Sequence, residues 1–357
     1  MAIPIKNIYH LLLYAWDFLE EGELVSTQID EHDAPQDLFA SLLVNGIQRL
    51  IRIGIHQDYV SRVEEIPAIR GRLLIDQTLK AGAFNRAKTI CEFDDFCVDT
   101  PPNQIVKATV YNLLRMKGLD AGIKNDLRRL YRQMSAISDI NLNNRAFNSV
   151  QIHRNNRFYS FLISICQLIH DNTLLAREDA GQSVFRDFIR DEKKMNVLFE
   201  NFVRKFYKRK LKGKYRVSGE RLSWQTPTAD AQAIDHLPEM VTDITLTPRG
   251  GSGATFILDT KYYKDPLGGG KSGEKIHASN LYQMFAYLSN KRADDGTIAN
   301  GIILYASTGE DFSFHYPKFH DFDLRVESLN LDQDWPGIER SLLDLIDAKN
   351  QLSLAHN

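Results

Sequence analysis

Met240-Val-Thr-Asp-Ile-Thr-Leu246, the turn-rich Thr247-Pro-Arg-Gly-Gly-Ser-Gly253 and Phe256-Ile-Leu-Asp-Thr-Lys-Tyr-Tyr263 form the stretch around which the chain is organised. Both flanks are rich in β-branched and aromatic residues, and the segment between them carries proline and glycines, so the whole reads as a hairpin. Asp243 and Asp259 then stand on neighbouring strands. Side chains alternate faces along a strand, so Asp259 and Lys261 share a face, about 7 Å apart, while Leu258 and Thr260 point the other way. Charges placed in a buried hairpin must be paired or neutralised. Two carboxylates with an ammonium beside them suit a divalent cation, Mg2+, and the water that it activates.

At 357 residues the chain exceeds what one compact core ordinarily holds, so two domains are expected, with a boundary near residue 150. A content of 43% hydrophobic and 25% charged residues provides for a core. The formal net charge of −2 argues against tight autonomous binding to DNA, but not against a protein brought to DNA by a partner. Cys91, Cys97 and Cys166, without a CxxC pair, point to a reducing compartment and away from a zinc site. No apolar run reaches membrane-spanning length, and the first residues lack the order of a signal peptide, so a cytoplasmic protein is expected.

Residues 7–19 read as a core helix with Asn7 as its cap, and Gln36 to Ile53 as a second amphipathic helix. Extended segments follow at Asp58–Ile66, Ile69–Ile75 and Lys88–Val98. Arg70 and Arg72 bracket Gly71, and they fit either a contact to phosphate or to a partner's acidic surface, or a turn with solvated arginines. Pro101-Pro102 closes this β-rich region. Asn103–Met116, the basic Ile123–Ile137 and the apolar Phe158–Leu175 read as helices, with polar connecting structure between the last two.

In the second half, Met195, Leu198, Phe199, Phe202, Val203 and Phe206 recur at helical spacing. Glu200 lies at the edge of that apolar face, either as a surface ion-pair partner or as an acid reaching a site beneath the helix. A basic run from Arg204 to Lys214 ends the helix, where it complements the dipole and also suits DNA phosphates. After the hairpin, Gly270-Lys271-Ser272 resembles the end of a phosphate-binding loop, but the glycine five residues before Gly270 is replaced by Asp265, so a basic loop beside the site is the better reading. His277 to Asn290 reads as a helix in which Leu281, Met284, Phe285 and Leu288 form the buried stripe, and Gln283 and Tyr287 lie four apart on a flanking face. Gly301–Ala306 is an apolar strand, so strand–helix–strand closes an α/β core. Further strands are expected at Phe312–Tyr316 and Phe322–Leu329, with a terminal helix from Trp335.

An aspartate, a hairpin and then Asp259-Thr-Lys261 resemble the PD-(D/E)xK metal-dependent nucleases, although Thr242 stands where those proteins often have proline. Gln283-x-x-x-Tyr287 is similar to the helix behind the catalytic hairpin in their RecB-like branch. Nearly the whole chain is similar to the McrC subunits of McrBC modification-dependent restriction systems. In the first half the resemblance rests on Pro4-Ile-Lys-Asn-Ile-Tyr-His-Leu-Leu-Leu-Tyr-Ala-Trp16, Ile69-Arg-Gly-Arg-Leu73 and Asn103-Gln-Ile-Val-Lys107. In the second half it rests on Leu198-Phe-Glu-Asn-Phe202, Thr242-Asp-Ile244, Asp259-Thr-Lys-Tyr-Tyr-Lys264 and Asn280-Leu-Tyr-Gln-Met-Phe-Ala-Tyr-Leu288.

The resemblance implies an α/β chain, α+β overall. A mixed helix/strand partner-binding domain, residues 1–150, would precede a PD-(D/E)xK endonuclease domain, residues 151–357, with a mixed central sheet flanked by helices. It implies an endonuclease subunit acting with an McrB-like hexameric AAA+ GTPase on double-stranded DNA carrying modified cytosine, with GTP bound by the partner and not by this chain. Arg70 and Arg72 become candidates for the partner contact. Asp243, Asp259 and the Thr260 carbonyl are expected to hold Mg2+, with Glu200 reaching it through water. Lys261 is expected to position or deprotonate the attacking water, and Gln283 to order the lysine. Tyr287, Lys264 and Lys271 are candidate contacts to DNA. Two other functions use the same residues: a catalytically silent activator of the GTPase, and a stand-alone RecB-like repair nuclease.

Overall fold

The computed structural model describes residues 3–25, 34–150, 157–175, 183–185, 191–225, 231–250, 253–263, 267–270, 273–309 and 311–354. The chain divides into two compact units, one of Met1–Leu19 with Asp187–Asn357 and the other of Glu20–Arg186. The division therefore lies at two places, near residues 19 and 186, and not at 150. The first helix belongs with the C-terminal half.

The first unit is built on a six-stranded mixed sheet. Its strands are β1 (Tyr215–Ser218), β2 (Ile244–Pro248), β3 (Phe256–Tyr262), β4 (Asn300–Ser307), β5 (Ser313–Phe319) and β6 (Phe322–Asn330), and their order across the sheet is β5-β6-β4-β3-β2-β1. β3, β4 and β6 run parallel, while β1, β2 and β5 pair antiparallel at the two sides. Central position explains the composition of β3 and β4: Phe256 through Thr260 and Gly301 through Ser307 are all buried. Such strands read as continuous apolar runs and not as alternation.

The long helices described in this unit are α1 (Ile5–Trp16), α2 (Glu192–Lys210), α3 (Ala278–Asp295) and α4 (Trp335–Leu354). α3 crosses from β3 to the parallel β4, and Met284 and Leu288 on it join one cluster with Ile257 and Ile303. The helix comes so close to β4 that a Cβ on Gly301 would lie 3.0 Å from both Leu288 and Met284. α2 also lies against β3, and the fully buried Phe199, Phe202 and Phe206 on it each contribute about 1.5–3 kcal/mol relative to exposure. Tyr14 of α1 packs on Phe202 and Phe206, and its hydroxyl donates to Glu339 Oε1 of α4 at 2.6 Å. Asn7 is not the cap of α1. Pro4 holds that place, and the Asn7 amide donates to the Leu331 and Gln333 carbonyls at 2.9 and 2.8 Å, where the chain leaves β6 for α4. These contacts are why α1 folds with residues far along the chain.

The second unit packs the helices Pro35–Ile53, Pro101–Leu114, Ala121–Gln133 and Arg157–Asp171 together. Beside them is an antiparallel sheet in which Thr89–Cys97 lies between Asp58–Ile66 and the short Arg72–Leu73. Pro101 and Pro102 open their helix, where a missing N–H costs nothing. Asn103 ties the helices to the sheet: it donates to the carbonyls of His56 and Val98 at 2.9 and 2.7 Å and accepts from the Tyr159 hydroxyl at 2.8 Å. Gly71 has φ +69°, and a Cβ there would stand 2.3 Å from the Glu92 carbonyl oxygen, so the turn between Arg70 and Arg72 requires glycine.

Candidate active site

The β2–β3 pairing runs from Leu246 opposite Phe256 to Ile244 opposite Leu258 and stops there. The next rung is supplied by a side chain. Asp243 Oδ2 accepts from the Thr260 backbone N–H at 2.9 Å and from the Thr260 hydroxyl at 3.0 Å. In a strand the N–H and C=O of one residue point to the same side, so the Thr260 carbonyl also faces the gap beyond the end of β2.

Asp259 is wholly buried, and neither carboxylate oxygen accepts a hydrogen bond from the described residues. Lys261 Nζ lies 2.7 Å from Asp259 Oδ2 and pairs with it, so Oδ1 is the oxygen left without any partner among the described residues. Burial pushes the Asp259 carboxyl up to about 7; the charges of Asp243 and Glu200 act the same way, and Lys261 opposes them. Lys261 compensates Oδ2, but a buried Oδ1 without a donor is costly unless a cation meets it. Asp259 and Asp243, with the Thr260 carbonyl, offer a small oxygen set that leaves room for water and phosphate oxygens, which is the coordination that Mg2+ prefers. Among the described residues no group of three or more His, Cys, Asp or Glu stands close enough to hold a metal ion together, so the protein's donors there would be these two aspartates and a carbonyl.

Lys261 is held from behind by α3. Its ammonium donates to Gln283 Oε1 at 3.0 Å, the Gln283 amide donates to the Tyr287 hydroxyl at 2.8 Å, and that hydroxyl donates to the Val241 carbonyl at 2.9 Å. The chain of bonds thus starts at the lysine and ends two residues before Asp243. Tyr287 is 6% exposed. Its hydroxyl faces the hairpin and not solvent, which sets aside the expected phosphate contact and makes the residue a support for Gln283.

A family model described as the McrBC 5-methylcytosine restriction system component matches residues 8–306. The chain belongs to the McrBC family. The McrBC match reaches into β4 and so includes the whole hairpin and the helix behind it. In Escherichia coli K12, the "Type IV methyl-directed restriction enzyme EcoKMcrBC" is 33% identical over 346 residues, 97% of this chain and 98% of that protein. Among solved structures, a chain of the refined half-complex of Thermococcus gammatolerans McrB AAA+ hexamers with bound McrC matches with a TM-score of 0.59. It is 18% identical, over 96% of this chain and 76% of that one, a likeness of fold.

Glu200 comes to the rim of the McrBC-family hairpin. It pairs with Arg204 at 3.2 Å, while burial and then the charge of Asp243 raise its pKa. The sequence reading did not mark its neighbour Asn196, whose Oδ1 accepts from the Tyr262 N–H at 2.9 Å and ties α2 to the end of β3. Thr242 has a structural reason to differ from proline: its N–H donates to the Glu220 carbonyl at 2.9 Å, and its hydroxyl accepts from the Glu220 N–H at 2.9 Å. Proline could make neither bond. Arg70 and Arg72 stand exposed in the second unit, where Arg70 lies 4.3 Å over the Phe93 ring and Arg72 pairs with Glu92 at 3.5 Å. Lys264 and Lys271 lie outside the described residues. No described helix is long and apolar enough to cross a membrane.

Proposed function

We propose that this chain is the Mg2+-dependent endonuclease subunit of a modification-dependent restriction complex. It hydrolyses phosphodiester bonds in double-stranded DNA carrying 5-methylcytosine-type bases when assembled in the cytoplasm with an McrB-like AAA+ GTPase hexamer. The partner binds GTP, and this chain stimulates its hydrolysis through residues 20–186, with Arg70 and Arg72 as contacts. The observation that carries the nuclease reading is Asp259: a wholly buried carboxylate whose Oδ2 meets the Lys261 ammonium and whose Oδ1 has no partner among the described residues, next to a second carboxylate. The names of the relatives support the partner.

Asp243 and Asp259, with the Thr260 carbonyl, would hold the Mg2+, which would supply Lewis-acid polarisation of the scissile phosphate and of a water. The residues of the chain do the rest. Lys261, beside Asp259 and oriented by Gln283, aligns the attacking water and offsets negative charge gathering on the phosphate. Thr260 fixes Asp243 through two hydrogen bonds, so only the second oxygen of that carboxylate is left to the site. Glu200 adds negative charge at the rim and would meet the cation through water.

The test combines this chain with its genomically adjacent GTPase, on methylated and unmethylated plasmid, with wild type and Asp259→Ala. Cleavage that needs methylation, partner, nucleotide and Asp259 is the expected result. Stimulated hydrolysis by the partner without cleavage of any modified DNA would overturn the nuclease reading and leave an activator.

A further inference from the structure

We propose that the ion pair between the buried Lys291 and the half-buried Glu220 is a positioning device for Asp243; the inference rests on the nuclease reading, which makes Asp243 a cation ligand. Gln283, Tyr287 and Lys291 follow one another at intervals of four along α3, so they stand in one row on the helix. The first two support Lys261 and the Val241 carbonyl. Lys291 is 5% exposed, and its ammonium lies 2.6 Å from Glu220 Oε1 and 2.7 Å from Asp295 Oδ2. Glu220 in turn brackets Thr242 with two backbone groups, both at 2.9 Å. Thr242 is 1% exposed, its hydroxyl also meets that of Thr245 at 2.8 Å, and it is bonded directly to Asp243. The row on α3 therefore grips both residues that lead into Asp243: Tyr287 holds Val241, and Lys291 holds Thr242 through Glu220.

Stability alone gives little reason to build this. With Lys291 buried and Glu220 26% exposed, the pair gains little over an apolar pair of the same volume, and Glu220 Oε2 is left buried without a hydrogen bond among the described residues. What a charged pair does well is fix direction. Asp243 has one oxygen committed to Thr260, so the aim of the other depends on the backbone at 241–243. A ligand site works only when its outer supports hold the donors in place. Lys291 and Glu220 touch no reacting atom, so they are positioning residues.

The experiment is calorimetric titration of Mn2+ into the full chain, with the thermal midpoint of each variant recorded. Asp243→Ala marks the site. Support for a ligand typically changes metal affinity by about 10- to 100-fold. Lys291→Met is expected to weaken binding by about tenfold and Glu220→Gln by at least about threefold. The double variant should match Lys291→Met and not the product of the two effects, because the residues act as one unit. Asp295→Asn removes the charge of the other partner of Lys291 but has no link to Thr242, so it should lower the midpoint and leave affinity alone. If Lys291→Met does not fold, Glu220→Gln, which keeps its size and an oxygen for Lys291, answers by itself. Affinity within about twofold of wild type in the folded Glu220 and Lys291 variants, or equal weakening by Asp295→Asn, would overturn the inference alone. Wild type that binds no Mn2+ in an Asp243-dependent way would overturn the nuclease reading and this inference together.

Discussion

Asp243 Oδ2 accepts both the backbone N–H and the hydroxyl of Thr260, at 2.9 and 3.0 Å. One residue of β3 thus aims a carboxylate that belongs to the approach to β2. Thr260 is fully buried, so Thr260→Val keeps the volume and the backbone bond and removes only the hydroxyl. A hydrogen bond to a charged group contributes about 1.5–3 kcal/mol. We expect cleavage at limiting Mg2+ to fall about tenfold and to recover in part as Mg2+ is raised. An unchanged Mg2+ dependence would mean that the backbone bond aims Asp243 unaided.

Asp259 is expected to leave a signature in stability. Burial, joined by the charge of Asp243 and against Lys261, holds its carboxyl at about 7, far above its ordinary value of 3.8. Between about pH 4 and 7 the folded chain carries a proton there that the unfolded chain has released. Stability in EDTA therefore declines as pH rises through that window, and the loss is complete above 7. Asp259→Asn carries no charge at any pH and lacks the decline, so at pH 8 it should be more stable than wild type by on the order of 1 kcal/mol or more, with a higher midpoint. Mg2+ should then raise the wild-type midpoint and leave the variant's unchanged. Thermal scans across pH decide the matter: parallel curves for the two proteins would remove the raised carboxyl from the account.

The bonds from Lys261 through Gln283 and Tyr287 to the Val241 carbonyl predict graded losses. Lys261→Ala should abolish cleavage. Gln283→Leu should slow single-turnover cleavage about tenfold, the scale of one hydrogen bond to a charged group, with Mn2+ affinity kept, because the lysine and not the carboxylates loses its support. Tyr287→Phe leaves the glutamine in place and should cost less, about 1 kcal/mol. Equal rates for Gln283→Leu and wild type would show that Asp259 alone holds the lysine.

The parts of this site that could be read from the sequence are those whose partners are set by local geometry. Alternation along a strand puts Asp259 and Lys261 on one face, and four-residue spacing on a helix puts Gln283 beside Tyr287; both arrangements are present. Tyr287 was legible as a position but not as a role, because spacing does not say which way a hydroxyl turns. Asn196 and Lys291 gave no local signal, since their partners Tyr262 and Glu220 lie 66 and 71 residues away. The same reason hid the place of α1. Its apolar face was plain, but Tyr14 and Asn7 find their partners more than 300 residues later, and no periodicity encodes that.

Gly71 gives a prediction for the other unit. Its φ of +69° lies where a side chain is strained, and a Cβ would come within 2.3 Å of the Glu92 carbonyl oxygen and 2.8 Å of Phe93 Cβ. The oxygen belongs to the central strand of the small sheet and cannot yield without breaking the pairing of Arg72 with Glu92 and Leu73 with Cys91. Gly71→Ala thus combines backbone strain of about 1–3 kcal/mol with a clash against backbone. Residues 72–73 should detach from the sheet, taking with them the exposed side chain of Arg72. Amide exchange would show this as lost protection at Leu73 and Leu74, the latter because its N–H donates to the Ile90 carbonyl at 2.9 Å. Mn2+ binding at Asp243 and Asp259 should be untouched, since the site is built within the other unit. If Gly71→Ala also impairs stimulation of the GTPase partner while Mn2+ binding stays normal, the turn carrying Arg70 and Arg72 belongs to the partner contact; full stimulation with the turn detached would remove it.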